Sequence, residues 1–328
     1  MPITVAVDAM GGDHAPSEIV AGAALAAAEL DVRVLLVGPE DVTAASLPGS
    51  AEGVELVHAS QVIAMHDPAA AVRTKKDSSV VVAAELVRDG KADAMVSAGN
   101  TGAAMAAALL RMGRIRGVAR PAIAVPVPVP GHGPQILVDG GATVDCAPEW
   151  LVQFAVMGRE YARVRLGVAQ PRIGLLSNGE ESGKGDELRK AVYPMLAELD
   201  GFVGNVEGRD FMHPTVDVIV TDGFTGNIAL KTVEGAIRGT AELVFSTLTS
   251  TPELEAASAA AMPALLEAAG ELDPDNVGGC TLLGVDGVCV ISHGSSKARA
   301  LRNSVARAVE CVESSVVARV AQAVADAG

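Results

Sequence analysis

The chain has 328 residues, enough for one large domain or two smaller ones. Hydrophobic residues make up 49% of it and aromatics only 2%, a globular composition in which alanine, valine and glycine do the packing. A formal net charge of −15 excludes general nucleic-acid binding and suits a soluble, cytoplasmic protein, so any acidic partner must dock on a local basic patch.

The elements alternate from the start. "ITVAVD" predicts a strand, with no basic leader or cleavage signal before it, and Pro16 to Glu29 a helix. "VRVLLVG" and "VELVHA" read as strands, and Asp77 or Ser78 caps a helix running to Val87. "DAMVSAG" is a strand and Asn100 to Met112 a helix. "AIAVPVPV" and "QILVDGG" pair across the turn "PGHGP", and Pro126, Pro128 and Pro130 place them at a sheet edge. A helix from Pro148 to Arg163, the strand "RIGLLSN" and a helix over 184–198 follow. "FVGNVEG" and "VDVIVTD" are strands, and a long helix starts near Thr225. An alanine-rich helix covers 252–270, "GVCVIS" is the last strand, and Ser295 to Ala325 the last helix. Strands alternating with helices predict an α/β fold: three layers, αβα, around a mostly parallel central sheet. No composition shift marks a boundary, so residues 1–328 are expected to form a single domain, with a protruding helical segment at about 228–272. No apolar run reaches the ~20 residues of a transmembrane helix.

In such sheets ligands bind beyond the carboxyl ends of the strands. Five loops there share one chemistry: "DAMGGDH" (8–14), "SAGNTG" (97–102), "SNGEESGKG" (177–185), "TDGFTGN" (221–227) and "SHGSSK" (292–297). Most lead directly into a helix, whose free N–H groups and positive dipole end suit a phosphate. "LLSNGEESGKGDE" looks like a nucleotide P-loop and is not one. Gly179 and Gly183 are one residue too close, Gly185 replaces the hydroxyl that would hold Mg²⁺, and Glu180 and Glu181 would repel a polyphosphate.

Absences narrow the chemistry further. The sequence lacks a G-x-G-x-x-G after a strand, a G-x-S-x-G elbow and an H-E-x-x-H. Cys146, Cys280, Cys289 and Cys311 form neither a C-x-x-C nor a disulfide framework, and Cys289 in "GVCVIS" reads as a buried inert thiol. Asp8 and Asp13 flank "AMGG" and suit a metal or a shared proton; otherwise Asp8 ends a strand and Asp13 caps the next helix.

Taken together, "AVDAMGGDHAP", "KKDSS", "SAGNTGA", "VDCAPEWLVQFAVMG", "GNVEGRD", "VTDGFTGNIALKTVEG" and "HGSS" resemble the bacterial phosphate acyltransferases of phospholipid synthesis, nearly end to end and in the family's order. The resemblance implies transfer of a fatty acyl group from acyl-[acyl-carrier-protein] to inorganic phosphate, giving acyl phosphate for a membrane glycerol-3-phosphate acyltransferase. It also implies a fold like the isocitrate and isopropylmalate dehydrogenases, a homodimer, and peripheral membrane association. No cofactor and no metal are expected. The sequence departs from the family pattern at Thr143, Ala147 and Lys297, which puts the role of the 139–147 loop in question.

The chemistry needs phosphate held beside the thioester carbonyl and an oxyanion stabilised. The expected catalytic residues are Lys184, His293 and Asn227, with His14 a second candidate base. Phosphate and acyl contacts are expected from Asp8, Gly11, Gly12, Asp13, Ser78, Ser97, Asn100, Thr101, Gly183, Asp222, Thr225, Ser295 and Ser296. Direct attack by phosphate is favoured over an acyl-enzyme, for which Cys146 is the nucleophile to test. Arg114 and Arg116 in "RMGRIRGVAR" are the expected docking site for the acidic carrier. Residues 246–272 carry four Glu and no Lys or Arg, which points to a weak apolar membrane contact or only a dimer-tip helix. Two other readings stand beside this one: a metal-dependent dehydrogenase of the same fold, and a non-catalytic acyl-carrier or lipid-binding protein.

Overall fold

A computed structural model describes residues 2–47, 49, 51–272, 276 and 278–327. Eleven strands among them form one sheet: β1 (Ile3–Asp8), β2 (Val32–Gly38), β3 (Val54–His58), β4 (Ala94–Ser97), β5 (Ala122–Val127), β6 (Gln135–Val138), β7 (Ile173–Leu176), β8 (Phe202–Val206), β9 (Val218–Val220), β10 (Cys280–Leu283) and β11 (Val288–Ile291). Their order is β3-β2-β1-β4-β11-β10-β5-β6-β9-β7-β8. The helices are α1 (Ser17–Glu29), α2 (Glu40–Ser46), α3 (Ser79–Arg88), α4 (Thr101–Arg111), α5 (Pro148–Arg165), α6 (Glu187–Leu196), α7 (Gly223–Leu248), α8 (Pro252–Ser258), α9 (Met262–Glu271), α10 (Ala298–Glu313) and α11 (Val316–Ala327).

The layers follow from strand alternation. Val5 and Val7 face one core with Ile19 of α1, Phe154 of α5, Leu301 of α10 and Val320 of α11. Ala6 between them faces the other, with Val81 of α3, Ala104 of α4 and Leu230 of α7. The fold is therefore the expected αβα arrangement. Within it β11–β10, β10–β5 and β5–β6 pair antiparallel. These three reversals split the parallel strands into two sets running in opposite directions, so the five loops do not leave one common edge.

Several boundaries differ from the sequence reading. β5 is not an edge strand: it pairs with β6 over residues 124–127 and with β10 over 122–124. β10 reaches only Ala122–Ala124, however, so Pro126 lies past the end of that ladder and its missing N–H costs nothing there. The four-residue β10, "CTLL", was too short to stand out in the sequence, and so was the seven-residue α2. The 252–270 helix is two, α8 and α9, with Pro263 in the first turn of the second. The last helix is also two, parted at Ser315, whose φ of 53° no α-helix accommodates. α6 begins at Glu187, which leaves Lys184 in a loop.

α7 positions the site. Its buried residues are Gly223, Gly226 and Leu230, all in the first third. Ser258 is the buried residue of α8 and α9 has none, so from Lys231 to Glu271 the segment lies largely outside the core.

Candidate functional site: a cleft between α7 and the sheet

The first set of loops is knitted backbone to backbone. Asp8, Ser97 and Ile291 share one level of the sheet. Asp8 is buried and accepts from Ser97 Oγ at 2.7 Å. Burial pushes its carboxyl above the usual range, with hydrogen bonds from Ser79, Ser97 and the Met10 N–H partly countering that. A Cβ on Gly11 would stand 2.6 Å from both Asp8 Oδ2 and Gly99 N, so the 8–14 and 97–102 loops approach as only glycine allows. The Asp13 N–H donates to Gly294 O at 2.8 Å and ties in the 292–297 loop. Asp13 itself is exposed and caps nothing; α1 starts after Pro16 without a side-chain cap. Asn100 Oδ1 caps α4 through the Ala103 N–H at 3.0 Å, while its Nδ2 donates to Met65 O at 2.8 Å. Ser78 precedes α3 as a buried residue whose hydroxyl has no hydrogen-bond partner among the described residues. Gly12 sits in the left-handed region at φ 115°, and Ser296 Oγ hydrogen-bonds Ser292 Oγ at 2.8 Å.

The second set is organised by two buried carboxylates. Asp139 accepts from the N–H groups of Ile123 (2.8 Å), Gly141 (3.0 Å), Ala142 (2.9 Å) and Thr143 (2.7 Å). Burial raises its pKa, and the four N–H groups work against that rise. Thr143 O in turn accepts the Gly223 N–H at 2.8 Å, which seats the start of α7 on this loop. Thr143 makes both of these contacts through its backbone. Asp222 caps α7 through the Thr225 N–H at 2.8 Å and pairs with Arg189, whose guanidinium also meets Thr221 and Thr225 Oγ1. Burial opposes the charge of Asp222, but the Thr225 donors and Arg189 outweigh it and its pKa falls below the usual range.

Lys184 stands beside this set on a pinned loop. Asn178 Oδ1 accepts the Gly185 N–H at 2.8 Å, and Asn205 Nδ2 donates to Glu181 O at 2.8 Å. A Cβ on Gly179 would lie 2.8 Å from Lys184 Cγ, so that glycine makes room for the lysine stem. Glu180 pairs with Arg209 rather than with Lys184, which is exposed.

The two sets meet across a cleft of about 660 Å³ under α7. Its polar lining includes Asp13, Thr101, Asn227, Lys231, Glu234, Arg238, Ser292, His293 and Ser295, drawn from both sets. Asn227 Nδ2 donates to Gly140 O at 3.2 Å. One turn on, Lys231 Nζ lies 3.3 Å from His293 Nε2 and 2.8 Å from Glu234, and His293 Nδ1 lies 2.8 Å from Ser295 Oγ. An ammonium only donates, so Nε2 is the acceptor of the Lys231 pair, while Nδ1 faces both Ser295 Oγ and the Ser295 N–H, 3.4 Å away.

Of the residues singled out in the sequence, Asp13, Thr101, Asn227, His293 and Ser295 line the cleft. Asp8, Gly11, Gly12, Ser97, Asn100 and Ser296 support its first wall, and Asp222 and Thr225 the start of α7. Ser78, Gly183, Lys184 and His14 lie outside the lining, as do Arg114 and Arg116. Cys146 donates to Thr143 O at 3.3 Å, and burial pushes its thiol up to about 12, so it is no thiolate nucleophile. Cys289 is buried, as expected. Sequence reasoning missed Lys231, Asp139 and Arg189. Lys231 falls one helical turn after Asn227 and so shares its face. Arg189 falls on the buried face of α6 with Val192 and Leu196, an arginine where the pattern calls for an apolar side chain. Among the described residues no group of acidic, histidine or cysteine side chains has the arrangement of a metal site.

Solved structures with this architecture include several phosphotransacylases. The EutD phosphotransacetylase from Staphylococcus aureus superposes with a TM-score of 0.58 at 16% identity, covering 98% of this chain and 94% of its own. A branched-chain phosphotransacylase from Enterococcus faecalis gives 0.57 at 16%, covering 94% and 99%. A 4-hydroxythreonine-4-phosphate dehydrogenase from Burkholderia phymatum gives 0.50 at 13%, covering 94% and 98%. These likenesses define the class by fold: the architecture common to phosphotransacylases and a dehydrogenase. Sequence carries the identification further. A family model described as "Fatty acid synthesis protein" matches residues 3–319. The phosphate acyltransferase of Pelotomaculum thermopropionicum is 49% identical over 94% of this chain and 91% of its own. That of Elusimicrobium minutum is 46% identical over 98% and 96%. The chain belongs to this family, the bacterial phosphate acyltransferases, and is an acyltransferase.

Proposed function

We propose that the protein transfers a fatty acyl group from an acyl-carrier-protein thioester to inorganic phosphate, by direct attack of phosphate, to supply acyl phosphate for phospholipid synthesis. The observation that carries this reading is the cleft's mixed lining: polar Asn227, Lys231, His293, Thr101 and Ser295 stand together with apolar Ile123, Val125, Val127, Leu230 and Ile237. An anion and a hydrocarbon chain can occupy it together.

A phosphate oxygen forms the bond to the thioester carbonyl carbon. The C–S bond breaks and the thiolate leaves with the electron pair, so strong acid catalysis is not needed. Asn227 and the free N–H groups at the start of α4 donate to the developing oxyanion and the phosphate. Lys231 offsets phosphate charge from within the lining, and Lys184 from outside it, on the loop that packs against Arg189. An anion seated beside Lys231 draws its ammonium away, and His293 Nε2 then accepts the phosphate proton. No residue is asked to form an acyl-enzyme.

The test is thiol release from a long-chain acyl carrier. Release should require phosphate and yield one acyl phosphate per thiol. Carrier binding without phosphate-dependent release would favour a binding protein, and NADH formation with hydroxy acids a dehydrogenase.

Arg114 and Arg116 remain the proposed docking point for the acidic carrier. Of the arginines in that segment, Arg111 is engaged by Glu85 at 3.3 Å and Arg120 stacks 4.6 Å over the Trp150 ring. Arg114 donates to Ala119 O and is exposed, and Arg116 is exposed beside it. Reversing both to Glu is expected to raise the carrier KM several-fold at low salt and flatten its salt dependence. An unchanged KM at low salt removes the arginines from the docking site. No helix among the described residues is long and apolar enough to cross a membrane. Exposed Leu254 and Leu266 on α8 and α9 fit the weak apolar membrane contact proposed for that segment. A homodimer, hand-over to a membrane glycerol-3-phosphate acyltransferase and a cytoplasmic location belong to the same proposal.

A further inference from the structure

We infer that the acyl chain lies in a straight groove between α7 and β5, and that Ala241 sets how long a chain the enzyme accepts. The inference rests on the acyl-transfer reading and adds a specificity-determining residue to it.

α7 presents two ridges to the cleft. Asn227, Lys231, Glu234 and Arg238 recur at the spacing of one helix face and form a polar ridge. Leu230, Val233, Ile237 and Ala241 recur in the same way, one position round, and form an apolar one. The apolar ridge and the sheet line the same cleft. Leu230 belongs to one core cluster with Ile123, Val125 and Val127, and Val233 packs against it. Ile123, Val125 and Val127 alternate along β5 and so share a face, which makes them a continuous apolar floor.

The reacting end of this groove is marked from both sides. Gly140 donates its N–H to Ile123 O and accepts from Asn227, so the start of β5 and the start of α7 meet at Asn227. From there β5 and α7 both lead away. Lys231 to Ala241 is ten positions of α7, about 15 Å at 1.5 Å per residue. Ile123 to Val127 is four steps of strand, about 13 Å. A staggered hydrocarbon built of ~1.5 Å bonds advances about 1.25 Å per carbon, so this length takes roughly 10–12 carbons beyond the reacting carbonyl.

Ala241 is the smallest side chain of the apolar ridge and the one farthest from Lys231. It is partly exposed, so a larger residue there fits the fold while reaching over the floor. Each methylene that enters the groove is worth roughly fourfold in binding. The wild-type protein should therefore prefer a 16-carbon over an 8-carbon acyl carrier by at least tenfold in kcat/KM.

The experiment measures phosphate-dependent thiol release from both donors with the wild-type protein, Ala241→Phe and Ala241→Leu, alongside their melting temperatures. The 16-carbon to 8-carbon ratio should fall tenfold or more in Ala241→Phe and by a smaller factor in Ala241→Leu, with melting unchanged. A ratio equal to wild type in both variants, or a proportional loss on both donors, overturns the groove. Phosphate-independent release, or none from either donor with wild type, overturns the acyl-transfer reading instead.

Discussion

Replacing Lys184 by Met is expected to lower phosphate-dependent thiol release by about 10²-fold, the scale for losing one phosphate or oxyanion contact. The protein should melt at the wild-type temperature. The loop does not depend on the ammonium for its shape: Asn178, Asn205 and the Glu180–Arg209 pair hold it, and Lys184 is exposed. A surface cation with a purely local role is worth under ~1 kcal/mol. The expected loss appears as a raised phosphate KM and a lowered kcat, with carrier binding nearly unchanged, because the lysine addresses the anion. A folded variant whose rate and phosphate KM stay within about threefold would show that the loop is structural and that Lys231 alone offsets the phosphate charge.

Asp139→Ala should act in the opposite way, through the fold. It leaves the N–H groups of Ile123, Gly141, Ala142 and Thr143 without their acceptor, in a site buried under α7. Buried donors stripped of a charged partner cost about 1–3 kcal/mol each where no water replaces it, and such losses are not additive. A total of about 3–5 kcal/mol is expected, read as a lower urea midpoint. The loss spreads to the site because α7 packs on this loop. A Cβ on Gly226 would lie 2.0 Å from Asp139 O, and Gly223 donates to Thr143 O. Activity should fall in step with stability, and Asn at this position, with one carbonyl oxygen left to accept, should recover part of both. Unchanged stability in Asp139→Ala would mean that the four N–H groups find other partners and that the loop does not seat α7.

The parallel strands and their helices were legible because their apolar runs are unbroken. β1 ends at Asp8 and α1 at Glu29, where composition changes sharply. The edge assignment for β5 failed because proline reports only a missing N–H. It cannot tell a sheet edge from the point where a short neighbour such as β10 stops. α8 and α9 merged in the sequence because the alanine run is helical on both sides of the turn at 259–261. Within the site, the glycine and hydroxyl loops were visible as local composition. Asn227 and His293 stood out as polar residues in such loops. Lys231 did not, since a lysine on a long helix reads as solvated until His293, sixty-two residues later, is placed against it. Arg189 with Asp222, and Asp139 with its four N–H groups, are likewise partnerships between distant segments, which periodicity does not report.

The central claim is that phosphate itself attacks the thioester. The most direct measurement mixes the protein with one equivalent of a long-chain acyl carrier in phosphate-free buffer, quenches on the millisecond scale, and assays both free thiol and acylated protein before phosphate is added. Neither should appear until phosphate enters; thiol and acyl phosphate should then form together in equal amounts. A burst of one thiol per subunit without phosphate, accompanied by an acyl group on the protein, would contradict direct attack and require a nucleophile among the residues of the cleft.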